Sequence, residues 1–249
     1  MVTCKLMGQM ANQMFQVAAT VAHALRVDST YSFPLRSGKR DQFSFMFPYL
    51  PQMTERRSLD RDFVYRERIF GVYNPLPQKK DLHLEGYFQS EKYFEDYKDQ
   101  IVSLFDIPIY SRQQGVISVH VRRGDYIRLA HKHPPVTVEY LSQAMNQFDK
   151  DRWKFMFFSD DINWCKENFK GERFLFSEGK SMKEDMGLQA ACEHHIISNS
   201  TYSWWAAWLG EQRGNDNRIV IAPKQWFGPR YQDRVLQTRD IIPERWIKL

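Results

Sequence analysis

Glycine, proline and long apolar runs are scarce in this sequence. Twelve glycines and eleven prolines among 249 residues stay far below the roughly 25–30% that marks low-complexity or collagen-like chains. No apolar run approaches the roughly 20 residues that cross a bilayer, and the N-terminus lacks the charged-then-apolar pattern of a secretory signal. We therefore expect a globular, soluble and cytoplasmic enzyme or binding protein without a transmembrane segment.

Cysteine is scarce as well. Cys4, Cys165 and Cys192 are odd in number, widely spaced and free of any CxxC pattern. Zinc binding by cysteine pairs and dithiol redox chemistry are therefore disfavoured. We expect three reduced, mostly buried thiols.

Charge of one sign does not dominate. The formal net charge is +5, the isoelectric point is near 9.0 and 26% of the residues are charged, close to the average of about 25%. Such a mild bias suits an anionic small ligand at least as well as nucleic acid. A basic nucleic-acid-binding protein stays open as an alternative, although Trp204, Trp205 and Trp208 fall in one core-like block and no recognition fold is spelled out.

The second half of the chain shows the alternation of short apolar runs and helical stretches that is typical of βα units and a parallel sheet. The predicted strands are residues 116–121, 154–158, 173–176, 195–198 and 218–222. The predicted helices are residues 138–148, 163–169, 182–191 and 202–209. These elements predict a compact α/β domain.

The first half begins in the same way but is harder to interpret. A short strand over residues 3–6 precedes a helix over 12–26, in which apolar residues recur on one face. Residues 36–80 predict only irregular loops and short helices, and residues 92–105 predict a helix. Residues 107–115 are the best linker candidate, because Pro108 lies there just ahead of a strand.

The sequence HVRRGDY at residues 120–126 follows the apolar strand directly. Side chains alternate along a strand, so His120 and Arg122 share one face while Arg123 points to the other. Ligands of open α/β sheets bind at the carboxyl ends of the strands, and a guanidinium group there can hold a diphosphate through two hydrogen bonds. The alternative is a surface arginine pair beside a core histidine.

The sequence SNSTYSWWAAWL at residues 198–209 is a strand end, a polar turn and a helix start. Ser200 and Thr201 at a helix N-terminus can bind phosphate, but plain helix capping above a tryptophan core explains these residues equally well. Asn199, Ser200 and Thr201 also form a glycosylation sequon, which is a weak indication without a secretory signal.

Two further segments are ambiguous when taken alone. Asp185 opens a helical segment and could accept hydrogen bonds from a guanine edge, but an ordinary helix-start acid is favoured. The loop from Gly8 to Gln16 places the amide of Asn12 at a helix start, where either a close ligand or a capped turn would fit.

Potential metal ligands occur in three groups, namely Asp149 with Asp151, Asp160 with Asp161, and Cys192 with His194 and His195. The first group precedes a strand, which is the wrong end for a nucleotide-bridging metal, and the second could equally be a polar strand end. The two adjacent histidines face opposite ways on a strand, and no fourth ligand is in view. We predict no required metal.

Taken in order, these motifs resemble glycosyltransferase family 11, the α-1,2-fucosyltransferases. The segments that carry the resemblance are ANQMFQ near the start, GYFQSEKYF at 86–94, HVRRGDY, FFSDD at 157–161, SNSTYSWWAAWL and IAPKQWF at 221–227. The resemblance implies an α/β, GT-B-like fold of two Rossmann-like domains facing a cleft. Residues 1–112 would form the acceptor-side domain, and residues 113–249 would bind GDP-fucose.

The resemblance also implies a donor-binding site in the second half. Arg122 matches the diphosphate-binding arginine and His120 a donor-contacting histidine. Asp185 matches a carboxylate that reads guanine, and Ser200 and Thr201 match the phosphate-binding turn.

Asn12, Arg122 and Asp125 are the catalytic candidates. Asn12 matches an asparagine near the reacting centre, and it also counts among the donor-binding candidates. Asp125, His131 and His133 could each lie near the acceptor, so the general base stays open.

The family's opening loop usually reads GGLGNQ, whereas this chain has GQMANQ. Because Ala11 adopts a positive φ less readily than glycine, we expect this loop to sit differently.

The implied reaction is an inverting, metal-independent transfer of L-fucose from GDP-β-L-fucose to the 2-hydroxyl of a galactoside. The implied partners are GDP-fucose and a galactose-terminated oligosaccharide, with no cofactor and no nucleic acid, while peripheral membrane association stays open. The closer alternative is a fucosyltransferase of another linkage.

Overall fold

The computed structural model describes residues 1–34, 43–52, 63–214, 217–231 and 238–249. The chain divides into two compact units. The first comprises Met1–Asp106 with Arg234–Pro243, and the second comprises Ile107–Asp233 with Glu244–Leu249. Within the described residues, no helix is long and apolar enough to span a membrane.

The division differs from the predicted boundary at 112/113 in two ways. It falls after Asp106, and a late segment returns to the first unit. That segment is held there by Asp240, whose carboxylate accepts hydrogen bonds from Lys92 Nζ at 2.7 Å and from the backbone N–H of Tyr73 at 2.9 Å. Such long-range pairing leaves no signature in local sequence.

The first unit is built on a three-stranded parallel sheet in the order β1-β3-β2. Its strands are β1 (Val2–Cys4), β2 (Val64–Arg66) and β3 (Leu82–Glu85), and its helices are α1 (Met10–Arg26), α2 (Phe43–Met46) and α3 (Lys98–Ser103). The predicted helix over 92–105 is wrong in its first half, because two 3-10 turns, Glu91–Tyr93 and Glu95–Tyr97, precede α3. Of the segment 36–80, residues 36–42 and 53–62 lie outside the described residues.

Helix α1 packs against β1 and α3. The prediction of one apolar face is wrong at both of its edges. The apolar pattern places Leu25 on the buried face, but this residue is 40% exposed. Conversely, the polar residues Gln13, Gln16 and His23 are buried. The buried amides are hydrogen-bonded to the loop that precedes the helix, so burial extends well beyond the apolar stripe.

The second unit is a six-stranded, wholly parallel sheet in the order β6-β5-β4-β7-β8-β9. Its strands are β4 (Gln113–Val121), β5 (Lys154–Ser159), β6 (Phe174–Phe176), β7 (Cys192–Ile196), β8 (Val220–Ala222) and β9 (Ile247–Lys248). Its helices are α4 (Gly124–Arg128), α5 (Val138–Met145), α6 (Ile162–Asn168), α7 (Met182–Ala191) and α8 (Thr201–Glu211). The predicted strands and helices of this half are confirmed with shifts of a few residues, while α4 and β9 were not predicted.

Two predictions about the core are confirmed. Trp204, Trp205 and Trp208 on α8 are fully buried, and their rings lie 5.1–6.2 Å apart. All three cysteines are buried and free. The tryptophans therefore serve as packing groups and fix α8 on the sheet.

Candidate functional site

The strand order of the second unit marks one place on the sheet for a ligand. From β4 the chain first builds β5 and β6 on one side, then crosses over and builds β7, β8 and β9 on the other side. Ligands of open α/β sheets bind outside the carboxyl ends of the strands at this reversal, which here lies between β4 and β7. The HVRRGDY motif ends β4, and the SNSTYS motif follows β7, so the structure brings the two motifs together at the reversal.

His120 and Ser198 join the two motifs. Nδ1 of His120 lies 2.7 Å from Oγ of Ser198, and both residues are buried. Burial, assisted by the nearby charge of Arg122, lowers the pKa of His120 to about 3. The imidazole is therefore neutral at physiological pH, with the Ser198 hydroxyl fixing its orientation.

Arg122 is held by two carboxylates. Its Nη2 donates to Oδ1 of Asp125 at 2.6 Å, and its Nη1 lies 2.8 Å from Oδ2 of Asp160. The guanidinium carbon also sits 5.6 Å from the ring centroid of Tyr126. The side chain keeps 28% of its surface exposed, so it is oriented and still accessible to a ligand.

Arg123 contacts a different set of groups, in agreement with its predicted opposite direction. Its Nε donates to Oδ2 of Asp161 at 3.1 Å, and its guanidinium carbon lies 4.0 Å from the ring centroid of Trp164. Asp161 also caps α6 by accepting from the backbone N–H of Trp164. Arg123 therefore ties the motif to α6.

Asp160 was missed by the sequence reasoning as a partner of the arginines. Its Oδ1 accepts from the backbone N–H of Arg123 at 2.8 Å, while its Oδ2 meets Arg122. A Cβ on Gly124 would lie 2.5 Å from Oδ2, so only glycine leaves room for this carboxylate. The pairing of Val121 with Ser159 across β4 and β5 brings Asp160 to the motif. This register is a property of the assembled sheet, so the sequence carried no direct signal for the contact.

The charges at this corner do not favour an anion in the present arrangement. Two guanidinium groups, from Arg122 and Arg123, face three carboxylates, from Asp125, Asp160 and Asp161. A diphosphate that bound Arg122 would compete with these carboxylates for its N–H groups. Asp125 is the more exposed of the two that bind Arg122, at 39% against 26% for Asp160. Asp160 and Asp161, which were considered as potential metal ligands, are both engaged with arginine.

The turn before α8 has the geometry of a capped helix start. Ser200 is the N-cap, and its Oγ accepts from the backbone N–H of Tyr202 at 3.3 Å. Thr201 is the first residue of the helix, whose first turn contains no acidic residue. The positive end of the helix dipole at this edge of the sheet is therefore not neutralised locally.

Asn199 in the same turn is buried and structural. Its Nδ2 donates to the carbonyl oxygens of Pro134 and Trp226, both at 3.0 Å. A glycan could not be attached to an amide engaged in this way, so the sequon is not a modification site in the folded chain.

Asp185 lies in the first turn of α7, where Oδ1 accepts from the Ser177 hydroxyl at 2.7 Å. Burial raises the pKa of this half-buried carboxyl, although the Ser177 hydrogen bond opposes the shift. The start of α7 is tied to the start of α8, since Tyr202 donates its hydroxyl to the carbonyl of Met182 at 2.6 Å. The structure therefore places Asp185 near the side chain of Tyr202 on α8.

The three base candidates differ in their surroundings. Asp125 is paired with Arg122, as described above. His133 is enclosed by aromatic rings, with Tyr126 at 5.1 Å and Phe227 at 5.5 Å between centroids, and burial lowers its pKa. His131 is exposed. The carboxylate is therefore the candidate that already contacts the proposed ligand-binding arginine.

Asn12 belongs to the first unit. It lies in the first turn of α1, where its Oδ1 accepts from Gln89 Nε2 at 2.9 Å. Gly8 has a φ of +71°, and a Cβ there would collide with the Asn12 amide. Ala11 lies within α1 and needs no positive φ, so glycine is required in this loop only at Gly8.

Two α/β units of parallel strands, the second wound in both directions from β4, define a GT-B-like fold and confirm the predicted fold class. A crystal structure of NodZ alpha-1,6-fucosyltransferase soaked with GDP-fucose is similar, with a TM-score of 0.50 at 13% identity over 84% of this chain and 92% of that one. At this identity the likeness supports the fold alone. The chain matches the model of glycosyl transferase family 11 over residues 1–249 and belongs to that family.

Three relatives illustrate the family. An alpha-1,2-colitosyltransferase of Escherichia coli is 28% identical, covering 100% of this chain and 98% of the relative. The O-antigen biosynthesis glycosyltransferase WbnK of Escherichia coli is 27% identical over 98% of this chain and 99% of the relative. Galactoside alpha-(1,2)-fucosyltransferase 1 of Sus scrofa is 28% identical over 81% of this chain and 63% of the relative. The family assignment favours a glycosyltransferase over the nucleic-acid-binding alternative.

Proposed function

We propose that this chain transfers L-fucose from GDP-β-L-fucose to the 2-hydroxyl of a galactoside, giving an α-1,2 linkage. The linkage is supported by the names of two relatives, a colitosyl- and a fucosyltransferase that share it. The observation that carries the proposal is Arg122, which is held by two carboxylates at the sheet reversal beside the start of α8.

The donor would lie across this edge of the second unit. Its diphosphate would take the place of Asp125 on Arg122 and accept from the N-terminus of α8 at Ser200 and Thr201, where the dipole favours negative charge. Asp185 would accept hydrogen bonds from the guanine edge. His120, being neutral, would contribute a hydrogen bond without a competing charge.

The chemistry proposed is a single displacement with inversion. The acceptor oxygen attacks C1 of fucose while the bond from C1 to the β-phosphate oxygen breaks, and GDP leaves with the electron pair. Arg122 and the α8 N-terminus would stabilise the developing charge without a metal ion. Asp125, released from Arg122 by the diphosphate, would accept the acceptor's proton. Asn12 would also take part in the transfer step.

A second candidate differs only in the donor sugar. One relative, matched over 98% of its length, is named a colitosyltransferase, and colitose is L-fucose without its 3-hydroxyl group. GDP-colitose is therefore the donor to compare with GDP-fucose. A site that hydrogen-bonds the 3-hydroxyl would reject the deoxy sugar strongly, whereas an apolar site would not.

The experiment is transfer by the purified protein to a panel of β-galactosides with each donor, with and without EDTA, and product linkage read by NMR. We expect an α-1,2-fucoside in both conditions. Another linkage in the product would refute the proposed α-1,2 linkage. A preference for GDP-colitose would mean that GDP-colitose, and not GDP-fucose, is the donor. Loss of transfer in EDTA would refute metal independence alone.

A further inference from the structure

Phe88 has an unusual backbone conformation in the first unit. Its φ is +52° although its side chain is fully buried. The left-handed region is unfavourable for a bulky residue, and such conformations persist only where the surroundings fix them. The ring is fixed edge-on against Tyr93, with centroids 5.3 Å apart and planes at 90°.

The carboxylate of Glu67 fixes the backbone of the same turn. It accepts from the N–H of Tyr87 at 2.7 Å and from the N–H of Phe88 at 3.2 Å. A Cβ on Gly86 would collide with Glu67, so the glycine at the start of the turn lets the carboxylate approach. Glu67 therefore binds two successive backbone donors, which a single neutral acceptor could not do equally well.

The residue that follows this turn contacts Asn12. Gln89 is 4% exposed and donates from Nε2 to Oδ1 of Asn12 at 2.9 Å. On its other side the Asn12 amide packs against Gly8. Because Gln89 is bonded directly to Phe88, the conformation at Phe88 sets the direction from which Gln89 reaches Asn12.

We propose that Glu67 is a positioning residue, which holds the left-handed turn at Phe88 so that Gln89 orients the Asn12 amide for the transfer reaction. The consequence for turnover rests on the proposed function, in which Asn12 takes part in the transfer step. The mechanical link from Glu67 to Asn12 does not rest on it.

The first test detects the structural link from Glu67 to Asn12 and does not depend on enzyme turnover. In the full chain labelled with ¹⁵N, the side-chain NH₂ resonances of Asn12 should shift in Glu67→Gln and in Gln89→Ala. Glu85→Gln is the matched control, because Glu85 ends β3 beside the turn and pairs with Arg66 on the surface at 2.8 Å. Unchanged Asn12 resonances in Glu67→Gln would overturn the proposal, whether or not the protein transfers fucose.

The second test is a double-mutant cycle on transfer. Misplacement of a reacting group by about 1 Å can cost up to about 100-fold in rate, and we expect Glu67→Gln to lower kcat about tenfold while the KM for donor changes less than about twofold. In the Asn12→Ala background the same substitution should have less than about a twofold effect, because the coupled pair is already broken. An equal loss in both backgrounds would mean that Glu67 only stabilises the fold. A wild-type protein that transfers neither sugar would refute the proposed function, and the NMR result would still decide the link.

Discussion

The pairing of Asp125 with Arg122 predicts opposite effects of Asp125→Asn on donor binding and on turnover. The amide keeps the shape of the side chain but removes the negative charge of the carboxylate, whose Oδ1 lies 2.6 Å from Nη2 of Arg122. A diphosphate would then meet a guanidinium group with one competitor fewer. The same substitution removes the proposed proton acceptor.

The magnitudes of the two effects differ enough to separate them. Both side chains of the pair are partly exposed, at 28% and 39%, and exposed ion pairs are worth about 0.2–1 kcal/mol. The dissociation constant for GDP should therefore fall by about 1.4- to 5-fold, since 1.4 kcal/mol corresponds to a factor of about ten. Loss of a general base costs about 100- to 10,000-fold, so kcat should fall at least about 100-fold.

Calorimetric titration with GDP and initial rates at saturating donor measure the two effects separately. Asp151→Asn is the matched control, because this exposed carboxylate lies in the turn before β5, at the opposite edge of the same sheet. An unchanged or weaker GDP affinity would refute the competition for Arg122. An unchanged kcat would refute Asp125 as the base and leave His131, His133 or no base.

Two further variants test the same edge of the sheet. Gly124→Ala places a methyl group 2.5 Å from Asp160 Oδ2, so we expect the free energy of unfolding to fall by about 1.5–3 kcal/mol, the worth of a charged hydrogen bond such as the one from Asp160 to Arg122; urea unfolding measures it, and unchanged stability would contradict the close fit of Asp160 against Gly124. Burial lowers the pKa of His120 to about 3. Between pH 6.5 and about 3 the unfolded chain therefore binds a proton that the native chain does not bind, and the free energy of unfolding decreases as the pH is lowered through this range. His120→Asn should reduce the slope of unfolding free energy against pH by up to one proton, measured by urea unfolding from pH 4.5 to 6.5; an unchanged slope would mean that His120 titrates normally in the fold.

The second unit could be predicted because its elements carry strong local signals. Buried parallel strands such as β5 are nearly continuous apolar runs. Helix α7 was predicted with its bounds, and in the structure Ser181 and Glu184 form a capping box at its start. Strands β2, β3 and β9 were missed: β2 lies in the segment without sustained periodicity, β9 has only two residues, and β3 reads LHLE, in which polar residues interrupt the apolar pattern.

The site could be predicted only as far as its motifs. Both HVRRGDY and SNSTYS were placed at strand ends, but the strand order, and therefore the contact of His120 with Ser198, is a property of the assembled sheet. Asp160 was considered as a metal ligand rather than as the partner of Arg122, because the register of β4 and β5 does not show in the sequence. Glu67 lies in a segment without periodicity, and its role depends on the left-handed backbone at Phe88.

The most direct test of the proposed donor site is the dissociation constant for GDP in Arg122→Ala against Arg112→Ala. Both variants remove one positive charge, but Arg112 stands at the opposite end of β4, where it pairs with Glu193. A charged hydrogen bond is worth about 1.5–3 kcal/mol, and charges beyond about 8 Å are screened at physiological salt. We predict that Arg122→Ala weakens GDP binding about 10- to 100-fold and that Arg112→Ala weakens it less than about twofold. Thermal melting checks that both variants are folded. Equal GDP affinity in the two folded variants would contradict the assignment of the diphosphate to Arg122.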